Sequence, residues 1–185
     1  MVFEIFQIDA FTNTLFGGNP AAVCRLNEWL PDKTLLRIAQ ENNLAEPAYV
    51  VHEKDHTFKL RWFTPEIEID LCGHATLATA FVIFNFLNFN DDVITFKTMS
   101  GNLEVKRDHE FIEMKFPSRP PVKVALLQTI ADALSKQPVK VYKARDYILV
   151  YDCEEDVHQL KVDASILANV NLNLGGICVT AKGNN

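Results

Sequence analysis

The sequence predicts an α+β protein in which several short strands accompany one buried central helix. The stretch from Glu68 to Phe89 holds no charged side chain after Asp70, and its apolar residues cover every face of a helix. A helix that is apolar all round either lies in a core or crosses a membrane. Strands are predicted on both sides of it. Residues 57–63 alternate between apolar and polar. Residues 93–98, 102–106 and 111–116 are three further strand candidates, separated by turns, and they predict an antiparallel meander.

The central helix is predicted to span about residues 73–88 and to stay out of a membrane. The apolar stretch is long enough for a membrane span, but His74 and Asn85 lie inside it and no Lys or Arg flanks it. A span without basic flanking residues has no anchor for its topology. A helix buried in a core therefore explains the stretch better.

The front end of this helix is polar and reads Asp70-Leu71-Cys72-Gly73-His74-Ala75-Thr76. The unpaired N–H groups and the partial positive charge of a helix N-terminus suit a carboxylate or a phosphate. Gly73 has no Cβ and so lets a ligand come close to the backbone. This end of the helix is therefore a predicted binding site.

Composition limits the classes of function. The 185 residues suffice for one domain or two small ones, and the net charge of −6 disfavours nucleic acid or an anionic membrane as the main partner. The four cysteines form no C-x-x-C motif, and no H-E-x-x-H motif is found among the five histidines, so no metal site is predicted. The amino terminus does not resemble a secretory signal, and we expect a cytoplasmic protein with reduced thiols.

Glu46 is the first candidate for proton chemistry. It is the only charged residue between Leu44 and Val51, and burial among apolar neighbours tends to raise the pKa of a carboxyl group. A carboxyl group with a raised pKa suits a general acid or base near neutral pH. The plainer interpretation is a partly exposed glutamate where a loop enters a strand, and the residues alone leave both interpretations open.

The segment from Phe11 to Val23 is predicted to be a loop because Gly17, Gly18, Asn19 and Pro20 interrupt it. Its plain interpretation is a turn. The alternative is that Asn19 presents its amide to a ligand, since an amide both donates and accepts hydrogen bonds. A strand is predicted before this loop at residues 2–9, and an amphipathic helix follows it at about residues 31–43.

Pro117, Pro120 and Pro121 mark the predicted boundary between two domains, residues 1–116 and residues 117–185. The second domain is predicted to contain an amphipathic helix near 126–134, a strand at 147–151, a short helix at 164–169 capped by Asp163, and a strand at 174–180. Its apolar clusters are few, so it looks like the opening of a domain rather than a whole one.

Four stretches together point to a family. They are Phe16-Gly17-Gly18-Asn19-Pro20-Ala21-Ala22-Val23, Asn43-Leu44-Ala45-Glu46, Leu60-Arg61-Trp62-Phe63-Thr64-Pro65 and Asp70-Leu71-Cys72-Gly73-His74-Ala75-Thr76. Their order and spacing resemble the PhzF-like isomerases of phenazine biosynthesis, which belong to a wider group built like diaminopimelate epimerase and proline racemase. The resemblance is specific over residues 1–116 and looser up to Gly183.

The resemblance implies two lobes, each a curved mixed or antiparallel sheet around one central helix, with the active site in the cleft between them. It implies a reaction without metal, nucleotide or redox cofactor. The acid at the position of Glu46 would move a proton between two carbons of a small unsaturated carboxylic acid. Asn19, Gly73 and His74 would help hold this substrate, and Asp70 is predicted to join them.

Two departures from the family pattern stand out. The family usually has Ser before the glutamate and Thr after it, whereas this chain has Ala45 and Pro47. Family members also continue past residue 185 and supply a second central helix, so we expect either a fragment or half of an enzyme, with a homodimer as one possible assembly.

Two alternative functions remain open at this point. The first is an amino-acid racemase or epimerase that uses Cys72 as its base, because the wider group has a catalytic cysteine there. Cys178 lies in the second lobe, but its strand position does not match the expected partner. The second is a non-catalytic binding protein that keeps one lobe and exposes an apolar cleft face to a partner.

Overall fold

The structure is a computed structural model, and it describes residues 3–14, 16–42, 46–172 and 175–183. Contacts within the chain divide it into two compact units, Met1–Pro117 and Ser118–Asn185. Each unit has its own apolar core.

In its described residues, the first unit contains two helices and eight strands. The helices are α1 (Asp32–Asn42) and α2 (Gly73–Phe86). The strands are β1 (Glu4–Ala10), β2 (Asn19–Leu26), β3 (Ala48–Lys54), β4 (Thr57–Phe63), β5 (Glu68–Ile69), β6 (Val93–Thr98), β7 (Gly101–Asp108) and β8 (Phe111–Lys115). They form one mixed sheet in the order β1-β2-β3-β4-β6-β7-β8, and β5 pairs with β4. The pairs β2–β3 and β4–β6 are parallel, and β6, β7 and β8 form the predicted antiparallel meander.

This sheet curls around α2. The helix contacts β1 at one end of the strand order and β8 at the other. Seven strands laid flat would be roughly 29 Å wide at their usual spacing, about three times the width of a helix. One helix reaches both ends only if the sheet bends around it. The α+β fold with a curved sheet around a central helix is therefore confirmed.

Most of α2 is buried. The buried residues are His74, Ala75, Thr76, Ala78, Thr79, Ala80, Val82, Ile83 and Phe84. The hydroxyl of Thr79 donates to the carbonyl oxygen of Ala75, so this polar group enters the core with its hydrogen bond made. The helix ends at Phe86, and Asn88 follows with φ 53°, a left-handed conformation that is common just after a helix. Among the described residues, no helix is both long and apolar enough to cross a membrane.

The expectation that α2 is buried on every face was wrong for one stripe. Phe81, Asn85 and Phe86 are exposed. A groove of about 890 Å³ lies over this part of the helix, between residues of β1 and the start of β8. The stripe is exposed because the curled sheet does not close, so the helix faces outward where β1 and β8 fail to pair.

The outer face of the sheet carries α1. Leu35 and Ala39 of α1 pack with Cys24, Tyr49 and neighbouring apolar side chains in a second core cluster. Alternate residues of β2 and β3 therefore belong to different cores, one beneath α2 and one beneath α1.

The predicted loop from Phe11 to Val23 was too long. The loop ends at Gly18, and Asn19 already begins β2. Pro20 is tolerated because β2 pairs with β3 only from Val23 onward, so no partner on that side needs a backbone N–H from Pro20. Gly18 has φ +69°, and a Cβ there would lie 2.2 Å from the carbonyl oxygen of Ala10. The position therefore requires glycine.

The second unit pairs four strands in the order β12-β11-β10-β9: β9 (Val122–Lys123), β10 (Lys140–Lys143), β11 (Tyr147–Val150) and β12 (Ile177–Thr180). Its helices are α3 (Gln128–Asp132), α4 (Glu154–His158) and α5 (Ala164–Leu167). The predicted cap is confirmed, because the Asp163 side chain accepts hydrogen bonds from the backbone N–H groups of Ser165 and Ile166. The predicted helix near 126–134 is shorter than expected, and the predicted strand at 174–180 begins at Ile177, although residue 174 lies outside the described residues.

Candidate active site

Asp70, Leu71 and Cys72 connect β5 to α2, which begins at Gly73. Cys72 is the N-cap residue with an extended backbone (φ −141°, ψ 114°), and its side chain makes no capping hydrogen bond. The backbone N–H and the hydroxyl of Thr76 both donate to the carbonyl oxygen of Cys72, which anchors the first turn. The first N–H groups of α2 therefore donate no hydrogen bond to the cap side chain, as a ligand-binding helix start requires.

Three predicted residues meet at this helix end. Oε2 of Glu46 lies 3.5 Å from Nε2 of His74, and Sγ of Cys72 lies 3.4 Å from Nδ1 of the same ring. One donor atom from each of the three residues lies within 4.8 Å of the other two. The imidazole of His74 thus stands between a carboxyl group and a thiol.

Burial differs within this group. Cys72 and the side chain of His74 are almost fully buried, whereas the Glu46 side chain is 28 % exposed. Nε2 of His74 is buried and makes no regular hydrogen bond to any described residue, and its separation from Glu46 is longer than an ordinary hydrogen bond. The site therefore opens on the side of the carboxyl group, and its inner part holds a polar nitrogen that is poorly satisfied.

The register of β3 explains why Glu46 faces α2. Ala48 and Val50 lie in the core beneath α2, whereas Tyr49 lies in the core beneath α1. Glu46 precedes Ala48 by two residues, and the N–H of Phe63 donates to the carbonyl oxygen of Pro47, which extends the pairing with β4. Alternation along an extended chain then places Glu46 on the α2 side. Residues 43–45 of the motif, including the departure Ala45, lie outside the described residues.

Asn19 begins β2 on the same side of the sheet. It precedes Ala21 and Val23 by two and four residues, and both of these belong to the core beneath α2. Because β2 runs parallel to β3, Asn19 as the first residue of β2 and Glu46 two residues before β3 lie toward the same edge of the sheet. Asn19 is exposed, so its amide is accessible at the end of the sheet where Glu46 lies.

Gly73 is the first residue of α2, and nothing lies within 4 Å of the position that a Cβ would take there. The space in front of the helix end is therefore open. Asp70 makes contacts that the sequence did not predict: the hydroxyl of Ser100 donates to its carbonyl oxygen at 2.9 Å and approaches its carboxylate at 3.4 Å. These contacts tie the segment before α2 to the turn between β6 and β7, which gives Asp70 a structural role beside its predicted binding role.

The resemblance placed Glu46 and His74 at one substrate, but the sequence did not indicate that Glu46, Cys72 and His74 form one set of possible metal ligands. The sequence signals considered for metals were short-range motifs, and these three residues belong to two distant segments. Carboxylate, thiolate and imidazole are all ligands of zinc-type cations, so the group is able to hold a metal as well as a substrate. Ser100 was also missed, because nothing in its local sequence links it to Asp70.

The fold and the site together define an α+β protein in which a curled sheet surrounds one helix. An acid, an imidazole and a thiol meet at the start of that helix. The chain belongs to the PhzC-PhzF family of phenazine biosynthesis-like proteins, whose family model matches residues 8–183. This confirms the resemblance drawn from the four sequence stretches.

Relatives with similar sequences and structures support the same family assignment. An uncharacterized isomerase of Pseudomonas aeruginosa is 44% identical over 182 residues, which cover 98% of this chain and 69% of that protein. A crystal structure of a PhzF-family protein from Enterococcus faecalis is 42% identical with a TM-score of 0.83, covering 100% of this chain and 70% of that one. A PhzC/PhzF protein from Clostridium difficile is 43% identical with a TM-score of 0.81, at the same coverage.

Proposed function

We propose that the chain contributes the Glu46 half-site of a cofactor-independent isomerase acting on a small unsaturated carboxylic acid. The observation that carries the proposal is the 3.5 Å separation between Oε2 of Glu46 and Nε2 of His74 at the start of α2. A carboxyl group at that place faces both a hydrogen-bonding ring and the positive end of a helix. The naming of relatives as isomerases gives the reaction class its support.

In this proposal Glu46 removes a proton from one carbon of the substrate and returns it to another carbon on the same face. One carboxyl group suffices for this, because the proton need not cross the plane of the substrate. General acid–base help of this kind is worth roughly 10²–10⁴-fold in rate. The partial exposure of Glu46 lets a substrate reach it, and the open space in front of Gly73 leaves room for the carboxylate beside the helix N–H groups.

His74 suits both protonation states of Glu46. A neutral imidazole has one donor and one acceptor nitrogen. Nε2 lies 3.5 Å from Oε2 of Glu46, so the ring is able to donate to the ionised carboxyl group in one tautomer or to accept from the protonated carboxyl group in the other. The present separations would shorten in a substrate complex, as is usual for catalytic hydrogen bonds.

Deuterium exchange tests this function without knowledge of the product. The chain is incubated in D₂O with a panel of small unsaturated carboxylic acids, and incorporation at carbon is followed by NMR. We expect exchange into at least one acid and a loss of about 10²–10⁴-fold in Glu46→Gln. Glu28→Gln, which changes an exposed glutamate away from the helix end, is the matched control and keeps the rate. Unchanged exchange in Glu46→Gln would show that another group moves the proton.

A racemase or epimerase that uses Cys72 is the second candidate, and the 3.4 Å contact between its sulfur and His74 favours it. An imidazole at that distance is able to take the proton of the thiol. Carboxyamidomethylation by iodoacetamide separates the two functions. If mass spectrometry confirms that Cys72 is modified and deuterium exchange is unchanged, Cys72 is not the base. Cys72→Ala, which adds no bulk, serves as the second measurement: if it keeps full exchange while Glu46→Gln loses it, the thiol is not the base.

A further inference from the structure

We propose that Glu46, Cys72 and His74 form a site for a thiophilic divalent cation of the zinc type, and that the cation competes with proton transfer there. The three donor atoms lie within 4.8 Å of one another, close enough for small side-chain rotations to bring them around one ion. Each of the three side chains is of a type that binds zinc: carboxylate oxygen, thiolate sulfur and imidazole nitrogen.

Each donor pair has a separation close to that of a tetrahedral ion. Zinc binds sulfur at about 2.3 Å and nitrogen or oxygen at about 2.0–2.1 Å, so two such donors lie roughly 3.3–3.6 Å apart around the ion. Sγ of Cys72 lies 3.4 Å from Nδ1 of His74, and Oε2 of Glu46 lies 3.5 Å from Nε2. Because an ion binds only one nitrogen of the ring, one of these pairs is in place and the third donor, which lies within 4.8 Å, has to rotate toward the ion to complete the set.

The surroundings of His74 supply an independent observation. Its Nε2 is buried, lies at the site and makes no regular hydrogen bond to the described part of the chain. A buried polar nitrogen without a regular partner is costly and is expected to gain from a ligand. Cys72 is fixed beside the same ring as the N-cap of α2, so two of the three ligands are already positioned by the helix.

Three protein ligands leave a fourth position for water or another small ligand, as in open zinc sites. The exposed side of the site at Glu46 provides the access. An oxygen of Glu46 that binds the ion cannot accept a proton from a substrate at the same time. This inhibitory consequence rests on the proposed function, whereas cation binding does not.

Cobalt replaces zinc as a spectroscopic probe in the test. Co²⁺ is titrated into the reduced chain without substrate, and the absorption spectrum is recorded before and after addition of Zn²⁺. We expect a thiolate-to-cobalt charge-transfer band in the near ultraviolet together with the visible bands of tetrahedral cobalt, both removed by one equivalent of Zn²⁺. Cys72→Ser should abolish the charge-transfer band. Glu46→Gln and His74→Gln should each weaken binding by at least about tenfold, the loss that even indirect partners of a metal ligand cause.

The second unit offers matched controls. His158 and Glu154 form an exposed pair with the same 3.5 Å separation, next to the exposed thiol of Cys153. His158→Gln and Cys153→Ser should bind cobalt as the unchanged chain does. Circular dichroism, which reports on both units, confirms that each variant is folded.

The proposal is overturned if the folded chain gives no charge-transfer band, or if the band persists in Cys72→Ser. Because no substrate is present, this result is independent of deuterium exchange. A chain that binds cobalt but exchanges no deuterium refutes the isomerase, and the reverse result refutes the cation site.

Discussion

The thiols of Cys24 and Cys72 lie on opposite faces of one sheet. Both are buried, but their neighbouring side chains differ. Cys24 is 1% exposed and Cys72 is 6% exposed. Cys24 lies in the core beneath α1, among apolar side chains such as Leu35 and Val51. Cys72 lies at the start of α2 beside Nδ1 of His74, and Glu46 lies near Nε2 of the same ring.

The difference shows that neighbours, not burial, give a thiol its chemistry. Burial raises the pKa of Cys24 from 9.0 to about 12, which keeps it protonated at any physiological pH. Tyr49 beside it is also raised in pKa, by burial first and by Cys24 second, and its hydroxyl donates to the carbonyl oxygen of Leu35. The Cys24 side therefore serves stability, whereas the Cys72 side holds an imidazole and an acid suited to proton or cation binding.

The largest effect is expected from Leu35→Ala on the Cys24 side. Leu35 is fully buried, and its truncation should lower the free energy of unfolding by about 2–5 kcal/mol. Urea unfolding followed by tryptophan fluorescence measures this for the first unit, because Trp29 and Trp62 both lie there. The cobalt spectrum of the folded variant should match that of the unchanged chain. A lost cobalt band in folded Leu35→Ala would show that the two faces are not independent.

A smaller effect on the free energy of unfolding is expected from Cys24→Ala, and it appears at alkaline pH. The pKa of Cys24 is higher in the folded chain than in the unfolded one, so folding favours its protonated form. Its contribution is complete below pH 9 and falls by about 1 kcal/mol per pH unit between pH 9 and 11. Unfolding midpoints in urea across this range should show a steeper decline for the unchanged chain than for Cys24→Ala. Equal declines would mean that Cys24 does not control the alkaline stability.

The smallest effect on stability is expected from Gly73→Ala on the Cys72 side. The position has open space and no positive φ, so alanine should change the free energy of unfolding by less than about 1 kcal/mol. Deuterium exchange should nevertheless fall, on the order of 10²-fold, because the added methyl group fills the space where the substrate would bind. Full exchange in Gly73→Ala would place the substrate elsewhere. A large loss of stability instead would mean that the helix start is packed more tightly than the open space indicates.

Strong local patterns made parts of the fold predictable. The bounds of β4 and β6 were predicted as observed, since alternation or a dense β-branched and aromatic run defines them without tertiary help. The strand β2 was not predicted, because Gly18, Asn19 and Pro20 carry a local turn signal. Pairing with β1 on one side and the late start of β3 on the other overrode that signal.

The site was predictable only in pieces. The polar start of α2 followed from the sequence, because a charge-free apolar run with a Gly-His beginning defines a helix end. The environment of Glu46 did not follow, since a lone acid among apolar residues fits both a site and a strand entry. Its approach to His74 depends on the register of β3 within the sheet, which pairs residues far apart in sequence.

The sequence by itself determined that this protein is an α+β chain of the PhzF type with a central apolar helix, because apolar periodicity and short motifs are local properties. Only the tertiary structure decided that Cys72, His74 and Glu46 meet, that Asp70 is held by Ser100, and that one stripe of α2 is exposed. These facts depend on how far the sheet curls and where its edges stop, and long-range strand pairing sets both.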